Sequence, residues 1–253
     1  ILSKTGGYTV VEGERVTANR GDLILTPNGT WHDHGNDSEE PCVWIDTLDW
    51  PLMEFLDAAW VDHNMPGAQG NTNVQAVTVT EGYSRHLYGH GGLKPAFVSH
   101  QRGVGHDPAP LFHFRGEDVK DMLHSLRKEK GDPREGIKVD FVNPVTGEPV
   151  FKTLNYSAQL LRPGEETEWK RETAGTYYVC IEGTGATEVG GKRFDWSHND
   201  LFVVPNFVWR RHINTGKEDA IIYSVSDAAL MRNIGQYYAQ GRDTHGKVTE
   251  LLQ

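Results

Sequence analysis

Cysteine is nearly missing from this chain. Its 253 residues hold two, Cys42 and Cys180, too few for the multi-bridge framework of a small secreted scaffold. Cys180 lies in an apolar run, so a buried thiol is expected rather than a disulfide, with a reducing, cytoplasmic setting as the default. Basic charge is also short: 25 Lys and Arg stand against 35 Asp and Glu, a net charge of −10. That excludes the basic face a nucleic-acid partner needs. No apolar run approaches the ~20 residues of a membrane span. Ile1-Leu2-Ser3-Lys4 is too short and too polar for a signal peptide. What is present suffices for a core: hydrophobic residues are 37% of the chain and aromatic residues 10%, in a length that fits one large or two modest domains.

The chain also contains an internal echo. Pro27-Asn28-Gly29-Thr30-Trp31-His32-Asp33-His34-Gly35-Asn36 returns 178 positions later as Pro205-Asn206-Phe207-Val208-Trp209-Arg210-Arg211-His212-Ile213-Asn214. Pro27, Trp31, His34 and Asn36 are kept, whereas His32 meets Arg210. The same shift pairs Gly7, Thr9, Val11, Gly13, Asp22 and Leu23 with Gly185, Thr187, Val189, Gly191, Asp200 and Leu201. Asp49, Leu52 and Met53 pair with Asp227, Leu230 and Met231. An ungapped register over about fifty residues reads as two copies of one domain, its period too long for a solenoid. The shift carries Asn155 to Leu161 and the turn at 162–167 ahead of Ile1, so the chain is expected to begin partway through its first domain.

Short strands cut by Gly, Pro and Asn dominate the pattern. In the first copy they are expected at Gly7–Val11, Arg15–Ala18, Leu23–Leu25 and Val43–Asp46. In the second they fall at Asn155–Leu161, Tyr177–Ile181, Ala186–Val189, Leu201–Val204 and Ala220–Val225. Regular strands at about ten-residue spacing predict an all-β sandwich or barrel. Each copy should end in a helix: one capped by Asp49 with Pro51 in its first turn, the other capped by Ser226 or Asp227 with Leu230, Met231 and Ile234 on one face. The expected division is 1–62 for the end of the first domain and 63–150 for a linker with a helix at 117–130. Residues 151–229 form the second domain, and 230–253 a terminal helix and tail. Residues 64–73 read as a loop and 132–150 as an ordered connector. Trp31 and Trp209 read as core. His86, His90, His100 and His106 lie in a Gly-rich stretch without ligand spacing.

Gly21-Asp22, Pro27-Asn28-Gly29-Thr30-Trp31-His32 and Asn36 resemble the second motif of the cupin superfamily. There a Gly/Pro turn presents one histidine into a small barrel, and the first motif supplies a His-x-His pair from a neighbouring strand. Histidines at i and i+2 of a strand share a face. Three imidazoles leave open positions on a metal. In the second copy these three positions are Lys170, Glu172 and Arg210, a set that binds no divalent metal. In the first copy the shift puts the expected His-x-His pair at positions −8 and −6. The implied fold is an all-β bicupin of two jelly-roll barrels with few helices, its N-terminal cupin incomplete in this chain.

Residues 21–52, Leu111-Phe112-His113-Phe114 and Val142-Asn143-Pro144-Val145-Thr146-Gly147 resemble the gentisate 1,2-dioxygenase family, which includes salicylate and 1-hydroxy-2-naphthoate dioxygenases. That resemblance implies an Fe(II) enzyme whose N-terminal cupin alone holds the metal. It implies that His32 is an iron ligand, that His34 hydrogen-bonds bound substrate and that Asp46 orients His34. The partners implied are O2 and a small aromatic hydroxy acid, cleaved between the carbons bearing carboxyl and hydroxyl, in a homotetramer. Trp31-His32-Asp33-His34 is similar to the gentisate enzymes more than to the salicylate branch, which implies gentisate as substrate and maleylpyruvate as product. The alternatives are a dioxygenase for a substituted salicylate or 1-hydroxy-2-naphthoate, and a metal-free cupin with a binding or structural role.

Overall fold

A computed structural model describes residues 1–4, 6–63, 76–97 and 109–251. The expected loop at 64–73, with His100 and His106, lies outside these described residues. Two compact units are present: residues 1–118 with 142–148, and residues 119–141 with 149–253. The stretch expected as one linker is shared between them.

The first unit carries β1 (Gly7–Val11), β2 (Glu14–Thr17), β3 (Leu23–Ile24), β4 (His32–Asn36), α1 (Trp50–Phe55), α2 (Tyr83–Tyr88) and β5 (His113–Phe114). β1 lies between β2 and β4 in an antiparallel sheet, and β3 pairs with β5. Val10, Val11 and Val16 are buried at its centre. Helix α3 (Gly116–Ser125) follows, shorter at its C-terminal end than the predicted 117–130.

The second unit carries β6 (Ile137–Asp140), β7 (Asn155–Leu161), β8 (Trp169–Glu172), β9 (Thr176–Glu182), β10 (Gly185–Val189) and β11 (Lys192–Trp196). It continues with β12 (Leu201–Val204), β13 (Arg210–Asn214), β14 (Ala220–Ser226), α4 (Ala228–Asn233), β15 (Ala239–Arg242) and β16 (Val248–Glu250). Two antiparallel sheets form, ordered β11-β10-β13-β8-β15-β16 and β12-β9-β14-β7-β6. Leu161, Tyr178, Cys180, Val189, Trp196, Val204, Ala220 and Ile222 come from both sheets and make one buried cluster, the two-sheet core of a jelly roll. Cys180 is buried and Cys42 half-buried, and neither forms a disulfide among the described residues.

The strand registers reproduce the echo residue by residue. β1 opposes Gly7, Thr9 and Val11 to Asn36, His34 and His32; β10 opposes Gly185, Thr187 and Val189 to Asn214, His212 and Arg210. The turns agree in dihedral angle as well. Left-handed φ values recur at Glu12 (50°) and Gly190 (56°), at Gly21 (80°) and Asn199 (70°), at Gly29 (74°) and Phe207 (56°), and at Asp57 (55°) and Gly235 (69°).

Several expectations need correction. Residues 43–46 form no strand: their counterpart β14 is held between β7 and β9, whereas Val43 O accepts bonds only from Leu2 and Ser3. The connector 132–150 contains β6, and the tail after α4 contains β15 and β16. β6 extends one sheet of the second unit at its edge and β15 with β16 extends the other, which a local pattern does not reveal. Asp49 and Asp227 stand at the N-caps of α1 and α4 but make no side-chain cap; Asp227 Oδ1 instead accepts Gly175 N–H at 2.9 Å. The face of α4 that packs is Ala228 and Ala229, while Ile234 is exposed. Trp31 and Trp209 are half-exposed rather than core. Trp209 is flanked by the guanidinium groups of Arg171 and Arg242, at 4.6 and 4.9 Å from its ring.

Candidate active site

β4 places His32 and His34 two residues apart, so both side chains leave the same face of the strand. Their ring centroids are 5.6 Å apart. His32 is exposed, and its Nδ1 faces Thr30 O at 3.4 Å. A carbonyl can only accept, so this contact favours Nδ1–H and leaves the Nε2 lone pair outward, the form in which imidazole binds a metal. His34 is held differently: its Nδ1 lies 2.9 Å from Oγ1 of Thr9, its partner across the β1–β4 ladder. Trp44 packs on the His34 ring at 5.4 Å, and Trp44 Nε1 donates to Asp46 Oδ1 at 2.9 Å. Asp46 thus bonds Trp44, which packs on His34, whereas the group that touches the ring nitrogen is Thr9. Partial burial lowers the pKa of His34, and neighbouring His32 adds to the effect against opposing pulls from Asp46 and Asp33.

At matching positions in the second unit the wall is filled. Arg210 and Lys170 face each other across β13 and β8. Both reach Glu135, a buried residue ahead of β6. Arg210 Nη2 donates to its two oxygens at 2.9 and 3.0 Å, and Lys170 Nζ donates to Oε1 at 2.8 Å. Gln159 Nε2 donates to Glu135 Oε2 at 2.7 Å. Glu172 lies 3.0 Å from Lys170 and 3.6 Å from Arg210, and accepts Tyr237 O–H at 2.6 Å. Two buried cations thus meet one buried and one partly buried carboxylate, the arrangement that makes buried charge tolerable. Burial pushes the Glu135 carboxyl up, but Arg210, Lys138 and Lys170 outweigh it and hold it well below the usual range. His212, the echo of His34, is fully buried. Burial and then Arg210 hold its pKa well below the ordinary imidazole value.

The sequence pointed to Lys170, Glu172 and Arg210 but missed Glu135, Thr9 and Trp44. Glu135 lies outside the echo, so no register could find it. Thr9 was visible as a match to Thr187, though only as a marker of the repeat. His86 and His90 are exposed, in and just after α2. Among the described residues no group of three His, Cys, Asp or Glu side chains is placed to hold a metal. Among the described residues His32 thus presents an imidazole in ligand form. The donors present do not by themselves make up an iron site.

Two stretches, residues 4–48 and 158–226, match the cupin domain. With the two-sheet fold and the paired turns, they make this chain a bicupin. Within that class it is a relative of the gentisate 1,2-dioxygenase family. It is 37% identical over 242 residues to a 5-aminosalicylate 1,2-dioxygenase of Comamonas sp., which covers 94% of the chain and 61% of that protein. It is 34% identical to gentisate 1,2 dioxygenase 1 of Aquipseudomonas alcaligenes, covering 93% of the chain and 64% of that protein. The salicylate 1,2-dioxygenase of Pseudaminobacter salicylatoxidans superposes with a TM-score of 0.81 at 28% identity, over 95% of this chain and 67% of that one. The chain thus spans somewhat under two thirds of the length of those curated relatives. Among the described residues no helix is long and apolar enough to cross a membrane.

Proposed function

We propose that the protein is an Fe(II)-dependent dioxygenase that inserts O2 into a hydroxybenzoate between its carboxyl- and hydroxyl-bearing carbons, with gentisate as substrate and maleylpyruvate as product. One observation carries this reading. The two wall strands share a register, yet only β4 keeps an imidazole where β13 has Arg210 sealed by Glu135. On this reading His32 is one iron ligand, His34 donates to the bound substrate, and Asp46 steadies the Trp44 ring against His34. The remaining ligands are a His-x-His pair at register positions −8 and −6. Relatives named for gentisate and for 5-aminosalicylate support the aromatic hydroxy-acid class. A cytoplasmic homotetramer is part of the same proposal.

The test is ring cleavage by the full-length protein with added Fe(II), on gentisate, salicylate, 5-substituted salicylates and 1-hydroxy-2-naphthoate. Gentisate should give the highest kcat/KM, and His32→Ala should abolish turnover of every substrate. A full-length protein with no His-x-His pair at those positions, or full activity in His32→Ala, sinks the reading. The 253-residue chain alone should bind Fe(II) poorly, and stoichiometric iron in it would contradict the assignment of the missing donors.

A further inference from the structure

We infer that Thr9 is a positioning residue that fixes the tautomer of His34, so that Nε2–H, rather than a bare nitrogen, faces the substrate. The second unit shows the logic in a buried setting. Trp196 Nε1, which can only donate, bonds Thr187 Oγ1 at 2.9 Å, and Thr187 Oγ1 lies 2.8 Å from His212 Nδ1. The hydroxyl hydrogen of Thr187 needs an acceptor, and among the described residues His212 Nδ1 is the one within reach. The hydroxyl therefore donates, Nδ1 accepts, and in the neutral ring the proton sits on Nε2. That Nε2 is buried with no hydrogen-bond partner among the described residues, and the His212 and Tyr178 rings form a T-shaped pair with centroids 4.7 Å apart.

Thr9 and His34 are the same pair at 2.9 Å, on the same ladder rung. Thr9 is 6% exposed, and His34 Nδ1 is again the acceptor its hydroxyl has among the described residues. The reverse arrangement, with Nδ1–H donating, would strand a buried hydroxyl hydrogen, which is costly. His32 is turned the opposite way by Thr30 O. The two imidazoles of β4 thus present unlike edges: a lone pair at His32 and an N–H donor at His34. A donor suits an anionic oxygen, the carboxylate or phenolate of a hydroxybenzoate. The identity of that acceptor rests on the proposed function; the tautomer does not.

The test separates the two. In full-length protein labelled with 15N-histidine at pH 8, the His34 nitrogens, assigned by their loss in His34→Asn, should show a bare Nδ1 and a protonated Nε2. Thr9→Val, of the same shape, should merge the two shifts toward a tautomer mixture, and Thr9→Ser should restore them. On the proposed substrate, Thr9→Val should lose about tenfold in kcat/KM and Thr9→Ser about twofold or less, the scale of one neutral hydrogen bond. A protonated Nδ1 in the wild-type protein, or unchanged shifts in Thr9→Val, overturns the inference whatever the activity. The expected shifts in a protein inactive on every hydroxybenzoate uphold the role of Thr9 and sink the dioxygenase reading instead.

Discussion

The two wall strands are bent by the same bonds and lined by different chemistry. Glu12 N–H donates to Trp31 O in the first unit and Gly190 N–H to Trp209 O in the second, both at 2.9 Å. Asn36 Nδ2 reaches Glu40 O at 2.8 Å, and Asn214 Nδ2 reaches Glu218 O at 2.9 Å. Asp22 Oδ2 accepts Asn19 N–H at 2.9 Å, as Asp200 Oδ2 accepts Ser197 N–H at 2.8 Å. Against that constant frame, β4 offers two imidazoles to solvent, whereas β13 buries a cation in an ion-pair cluster. The turn is therefore scaffold common to both units, whichever side chains follow it. On the proposed reading, the residue that decides the chemistry is the one at His32 and Arg210.

The comparison is broken most severely at Glu135. Glu135→Gln should leave Arg210 and Lys170 with Glu172 alone and destabilise the second unit by about 3–5 kcal/mol, the cost of an uncompensated buried charge. Urea denaturation followed by tryptophan fluorescence measures it, and a loss below about 1 kcal/mol would show the cluster to be dispensable. The same carboxyl sets an acid limit. Its folded pKa lies below the unfolded value of 4.5, so its contribution is present above pH 4.5 and is lost as pH falls through the lower folded value. The decline of stability below pH 4.5 should be shallower in Glu135→Gln than in wild type.

A smaller test sharpens the contrast between exposed and buried copies of one bond set. Asn214 is 1% exposed and also donates to Leu161 O at 2.8 Å. Asn214→Ala should cost about 2 kcal/mol by stranding buried backbone groups, and Asn36→Ala, at an exposed site, under about 1 kcal/mol. Equal costs in thermal unfolding would show that burial does not set the value of this turn.

Much of the frame was legible because it is written twice: the 178-residue register matched equivalent residues of the two units, and the strand ladders keep those matches. The site was legible only where its residues sit inside that register. His32, His34, Lys170, Glu172 and Arg210 do. Glu135 does not, and it reaches the cluster through packing that no local pattern encodes. Val43 to Asp46 is apolar enough to read as a strand, yet strand formation requires neighbours, and here Trp44 and Asp46 form a clip beside His34 instead. β15 and β16 are short and polar, which hides them from any reading by periodicity.

The left-handed turns carry a further meaning. Where one unit has glycine at such a turn the other has Glu12, Asn199, Phe207 or Asp57, and the glycine is on either side. Each side chain there keeps a backbone shape it does not itself prefer. What the duplication has passed down is thus curvature, not spelling. Each unit serves as a partial archive of the other, because a glycine in either one marks a bend that both keep.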